Sequence, residues 1–129
     1  KLSQDFAAKM QKEGMPDAYK DESDIGAVCA YLEEHSGEPV SLDQLGEVAG
    51  LSKYYLLRSF TKQKGISPYR YLETIRIAKA RKLLERNVPM IEVALQTGFA
   101  DQSHFSRFFK RLIGVTPRQY AEIFGGRQA

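Results

Sequence analysis

The chain has a single cysteine, Cys29, among 129 residues, so it can form neither an internal disulfide nor a zinc site built on several cysteines. Its apolar runs stay far short of the roughly 18 residues a membrane span requires. No basic n-region precedes a long apolar segment, so no secretory leader is legible. Proline and glycine are sparse, at 5 and 10 residues, and strand-like alternation is rarer still. These scarcities leave a helical chain with a cytoplasmic home as the reading. With Lys1 rather than Met at its start, the chain is expected to be a piece of something longer.

Apolar residues make up 43% of the composition, enough to bury a core. The net charge of +3 conceals a division. Residues 1–49 hold 4 Lys+Arg against 11 Asp+Glu, a net of −7, while residues 50–129 hold 15 against 5, a net of +10. A basic second part of this kind points to a polyanion as partner, provided a scaffold aims the charges.

Apolar residues recur at helical spacing throughout, and predict an all-α chain. Lys1 to about Ser23 reads as a short helix and linker broken by Gly14 and Pro16, or as the tail of an upstream domain. From about Asp24, Ile25, Val28 and Leu32 share one helical face, with Cys29 expected as a small buried hydrophobe beside them. Ser41 caps a helix that ends at Gly50, and Ser52 opens another that stops at Gly65. Ser67 and Pro68 start a long helix reaching about Arg86, closed by Asn87 and Pro89. Shorter helices follow over Met90–Thr97 and Asp101–Ile113, and a last one begins at Thr116-Pro117 and ends near Phe124.

The most informative feature is internal repetition. Gly65-Ile66-Ser67-Pro68-x-x-Tyr71 returns as Gly114-Val115-Thr116-Pro117-x-x-Tyr120 at an offset of 49, which also pairs Arg58 with Arg107, Phe60 with Phe109 and Lys62 with Arg111. Gly50 pairs with Gly98 at an offset of 48. Each copy is a short helix, a glycine turn and a second, basic helix, which is the helix-turn-helix pattern. In the first copy, over about residues 41–65, the second helix can enter a DNA major groove while the first braces it. The second copy, over about 89–114, does the same. The joining helix over about 67–86 would be about 30 Å long, close to the roughly 34–36 Å between groove faces one DNA turn apart.

Ser41-Leu42-x-x-Leu45-x-x-x-Ala49-Gly50-Leu51-Ser52, Arg76-Ile77-x-x-Ala80-x-x-Leu83-Leu84 and Gly98-Phe99-x-Asp101-Gln102-Ser103-His104-Phe105-Ser106-Arg107-x-Phe109-Lys110, followed by Gly114-x-Thr116-Pro117-x-x-Tyr120, carry a resemblance. Over residues 24–124 the chain resembles the C-terminal domain of AraC/XylS-type transcription regulators. The resemblance implies about seven helices, with two homeodomain-like helix-turn-helix subdomains joined by a linker helix, and binding to double-stranded promoter DNA in the cytoplasm of a bacterium. It implies RNA polymerase as a second partner, no cofactor, and a small-molecule effector acting only through a missing N-terminal sensor domain, of which residues 1–23 are a linker or a remnant. Leu57 stands where relatives often carry a polar side chain, so contact with a thymine methyl is expected to replace a hydrogen bond there.

In the first reading helix Leu56 and Phe60 take the core face, leaving Tyr54, Leu57 and Arg58 as candidate base readers. The planar fork of Arg58 suits guanine O6 and N7, with a phosphate contact or salt bridge as its alternative. In the second, Phe105, Phe108 and Phe109 face inward, and Ser103, His104 and Arg107 are the candidate readers. Ser41, Ser52, Lys53, Lys62, Gln102, Lys110 and Arg111 are candidate phosphate contacts. Arg76, Lys79, Arg81, Lys82 and Arg86 on the long helix read as a solvated face. Arg58 and Arg107 are expected to project from a shared side. No nucleophile, base and orienter converge, and no metal-ligand spacing occurs, so an enzyme is not the expectation. A helical protein-interaction module, contacting RNA polymerase or another regulator, is the alternative.

Overall fold

A computed structural model of the chain describes the backbone of residues 17–126 and the side chains of residues 25–126. Of the short helix and linker expected over Lys1 to about Ser23, the first sixteen residues lie outside the described residues, and residues 17–23 belong to a helix. Among the described residues there are seven helices and no strands: α1 Asp17–Glu34, α2 Leu42–Ala49, α3 Lys53–Lys64, α4 Pro68–Glu85, α5 Met90–Thr97, α6 Gln102–Ile113 and α7 Pro117–Phe124. None of them is long and apolar enough to cross a membrane. α1 starts at Asp17 rather than near Asp24. Residues 17–24 carry no apolar stripe to announce a helix, yet Ala18, Lys20 and Glu22 are good helix formers.

The described residues divide into two compact units: residues 17–35 with Val40–Tyr71, and Ser36–Pro39 with residues 72–126. In the first, α1 packs against α2 and α3, and α2 against α3. Ile25, Val28, Leu32, Leu45, Ala49, Leu51, Leu56 and Phe60 are buried there, and the ring of Phe60 meets Tyr71 edge-on at 5.4 Å. Cys29 is only half-buried, a correction to the expectation of a core cysteine. The Tyr71 hydroxyl hydrogen-bonds Cys29, and that bond, then burial, then the nearby Cys29 and Glu33 charges push the phenol up to about 12.

The core of the second unit joins Ile77, Ala80 and Leu84 of α4 to Val93 and Ala94 of α5, Phe99, Phe105, Phe108 and Phe109, and Tyr120 of α7. Ring contacts run from Phe99 to Phe105 at 5.3 Å, Phe105 to Phe109 at 5.7 Å and Phe109 to Tyr120 at 5.6 Å. Burial of each such side chain contributes about 1.5–3 kcal/mol, so α6 is held chiefly by its phenylalanine face.

Helix ends are set locally. The Ser41 hydroxyl accepts from the Gln44 amide while the Gln44 side chain accepts from the Ser41 amide, a reciprocal cap. Thr116 and Gln119 repeat it at α7. Ser52, Ser67 and Asp101 accept from the amides of Tyr55, Arg70 and His104. Two glycines shape the hairpins. Gly50 and Gly98 end α2 and α5 in the left-handed region, with φ of 71° and 90°. That conformation lets each chain leave its first helix abruptly and start the second.

Candidate nucleic-acid interface

α3 buries Leu56, Ser59 and Phe60 and turns its remaining faces to solvent. Tyr54 is 63% exposed and Leu57 36% exposed, and Arg58 lies in the open beside them. Tyr54 and Arg58 stand one turn apart, and Arg58 Nη1 donates to the Tyr54 hydroxyl at 3.4 Å. The three expected readers of this helix therefore share one surface. Tyr55 is half-buried and meets Tyr54 edge-on at 5.2 Å. Lys62 is exposed in the last turn. Lys53 Nζ lies 3.5 Å from an Asp43 carboxylate oxygen, so one expected phosphate cation already has a carboxylate beside it. Being exposed, that pair is worth at most about 1 kcal/mol and is readily exchanged. Ser41 and Ser52 use their hydroxyls as caps, and the Ser41 amide is committed to Gln44. Helix geometry leaves the amides of Leu42 and Asp43 as the open donors of α2.

α6 separates its faces more sharply. Phe105, Phe108 and Phe109 are buried, while Gln102, Ser103, Arg107, Lys110 and Arg111 are exposed. Arg107, Lys110 and Arg111 line an open groove of about 530 Å3 with Ser106 and Thr116. The Arg111 guanidinium lies over the Phe108 ring, 5.9 Å from its centroid, which steadies it at one edge. Three cations converging on one concavity suit an anion with several oxygens. Ser106 and Thr116 were not among the expected contacts; Ser106 lies on α6 beside Arg107, while the closeness of Thr116 to the cations depends on how the chain turns from α6 into α7.

His104 departs from the other expected readers. It is half-buried, its ring stands edge-on to Phe99 at 5.4 Å, and its Nε2 is 4.0 Å from Glu73 of α4. The expected solvated face of α4 needs correction at one residue. Lys79, Arg81, Lys82 and Arg86 are exposed, but Arg76 is 5% exposed and donates to two backbone carbonyls, Ser36 O at 2.7 Å and Glu38 O at 3.0 Å. Lys79 Nζ donates to the Ser36 hydroxyl at 2.6 Å. Arg81 Nε donates to the Tyr120 hydroxyl at 3.2 Å, a bond that raises the pKa of the guanidinium above its ordinary value. The acceptors lie 38 to 43 residues away in sequence, so helical periodicity alone could not identify them.

A family model described as a helix-turn-helix domain matches residues 45–123. The chain belongs to the AraC-type helix-turn-helix family. It is a DNA-binding domain of a transcription regulator and not an enzyme. It is 60% identical over 81 residues to an uncharacterized helix-turn-helix regulator, YbfI, of Bacillus subtilis, a match covering 63% of this chain and 30% of that protein. Among solved structures, it is similar to a transcriptional regulator with an AraC-type DNA-binding domain from Chromobacterium violaceum, with a TM-score of 0.73 and 26% identity over 78% of this chain and 91% of the other. It is equally similar, at a TM-score of 0.73 and 29% identity over 78% and 91% of the two chains, to the DNA-binding domain of the global transcriptional factor AdpA, solved with a target DNA. The chain spans about a third of the length of the curated relatives it matches.

Proposed function

We propose that this AraC-type domain reads promoter DNA by inserting α3 and α6 into successive major-groove segments. The reading is carried by one observation: each hairpin buries the inner face of its second helix and exposes an arginine at the matching repeat position, Arg58 and Arg107. Tyr54, Leu57 and Arg58 then meet base edges from α3, the apolar Leu57 against a thymine methyl. Ser103 and Arg107 meet them from α6, with His104 contributing its exposed edge. Lys53, Lys62, Lys110, Arg111 and Gln102, with the first-turn amides beside Ser41 and Ser52, take phosphates. AdpA, whose DNA-binding domain was solved with its target DNA, supports the assignment of partner. RNA polymerase is the second partner this reading carries, and an effector would act through a sensor domain, as the resemblance implies.

Selection of bound sequences from a random duplex pool tests the proposal. Two short conserved blocks about one DNA turn apart are expected. Affinity should fall by roughly 0.9 log units per log unit of salt for each phosphate engaged. A single block, or an affinity indifferent to salt, overturns it; the latter outcome is what a protein-interaction module would give.

A further inference from the structure

The DNA-reading proposal has no use for the most deeply buried cation of the second unit. We propose that Arg76 is a positioning residue for α6: it locks the Ser36–Pro39 segment against the α5–α6 turn and so sets the angle at which the second reading helix is presented. The inference rests on the reading of α6 as a base-reading helix.

Arg76 is gripped on several sides. Its Nε and Nη2 hold the carbonyls of Ser36 and Glu38, two residues apart on one strap. Lys79, nearly one turn further along α4, holds the hydroxyl of the same Ser36, which is itself buried. On its other side the guanidinium lies 5.9 Å from the centre of the Phe99 ring. A Cβ at Gly98 would sit 3.0 Å from Arg76 Nε and 3.0 Å from the Ser36 carbonyl oxygen, and a Cβ at Gly37 would sit 3.0 Å from the carbonyl oxygen of Gln96. Strap and turn thus close around one side chain with no room for a methyl group.

From there the contact chain reaches α6. Phe99 meets His104, Phe105 and Phe108, all on that helix, at 5.4, 5.3 and 6.2 Å. Glu73, also buried on α4 and three residues before Arg76, faces His104 at 4.0 Å. An apolar side chain of similar volume could fill the space as well, since buried charges are poor sources of net stability. What it could not do is fix two carbonyls of a strap at defined angles, which the planar five-donor fork of arginine does. Lysine keeps the charge but not the fork.

The test compares Arg76→Met and Arg76→Lys with the native chain by amide exchange and by affinity for a pool-selected duplex and for a random duplex. The proposal expects faster exchange in Ser36–Glu38 and Phe99–Phe105 together in both variants. It also expects the selected duplex to be bound about tenfold or more weakly while random-duplex affinity changes less than about twofold, because the surface charges remain in place. Equal loss on both duplexes, or native exchange at Phe99–Phe105, overturns it. Should Arg76→Met lose its helical circular dichroism, Arg76→Lys decides: native selectivity in that variant also overturns the proposal. If the native chain itself fails to prefer the selected duplex, base reading by α6 falls, and the exchange data alone then uphold or overturn the positioning role.

Discussion

Gly50 and Gly98 hold the same left-handed backbone conformation at the elbows of the two hairpins, but only Gly98 is enclosed. A Cβ on Gly50 meets nothing within 4 Å. One on Gly98 meets Arg76 and the Ser36 carbonyl at 3.0 Å. Two turns of equal backbone geometry therefore differ in what surrounds them.

The difference is measurable by urea titration of the two alanine variants. Gly50→Ala should destabilise by about 1–2 kcal/mol, the conformational penalty of a left-handed L-residue. Gly98→Ala should lose more, because Arg76 or the strap must also move. Equal losses would show that both give way freely.

Arg107 stands in a groove with two further cations and is assigned to a base edge. Arg107→Ala is expected to weaken binding to the selected site by about 1–3 kcal/mol and to relax preference at one base pair. Gel-shift titrations on selected and random duplexes check this. Equal weakening on both would reassign Arg107 to the phosphates, in company with Lys110 and Arg111.

Lys62, exposed in the last turn of α3, is assigned to the backbone. Lys62→Ala should weaken selected and random duplexes alike and reduce the slope of log affinity against log salt by about one unit. Loss confined to the selected duplex would mean that this lysine reads sequence.

Tyr71 gives the first unit an alkaline sensitivity. Its phenol, hydrogen-bonded to Cys29, is raised from 10.0 to about 12 in the folded chain. The group is neutral below both values, so its stabilising contribution is complete under pH 10 and is lost as pH climbs toward 12. Urea midpoints followed through that interval should decline in the native chain and decline less in Tyr71→Phe. Parallel curves would remove Tyr71 as the cause.

Much of the architecture is legible in the residues because it is built from short-range contacts. The caps at Ser41, Ser52, Asp101 and Thr116 bond amides three residues on. The Leu56–Phe60 and Phe105–Phe109 pairs mark inner faces by spacing alone. The exposed sides of α3 and α6, and with them most candidate DNA contacts, follow by subtraction. α1 began earlier than expected because a helix without an apolar stripe announces nothing.

The start of α1 aside, the amino-acid order alone determined the helical stretches, the twin hairpins, their glycine elbows and the outward arginines, since each depends on neighbours within a turn or on a pattern repeated along the chain. Only folding decided that Arg76 would be buried against a strap, that His104 would lean on Phe99 and Glu73, that Cys29 would meet Tyr71, and that Thr116 would share a groove with Arg107. Those contacts join residues from different elements, most of them tens of positions apart in sequence. Which of many exposed-looking cations is drawn inward depends on which distant carbonyls the packed core brings within reach, and no local pattern records that.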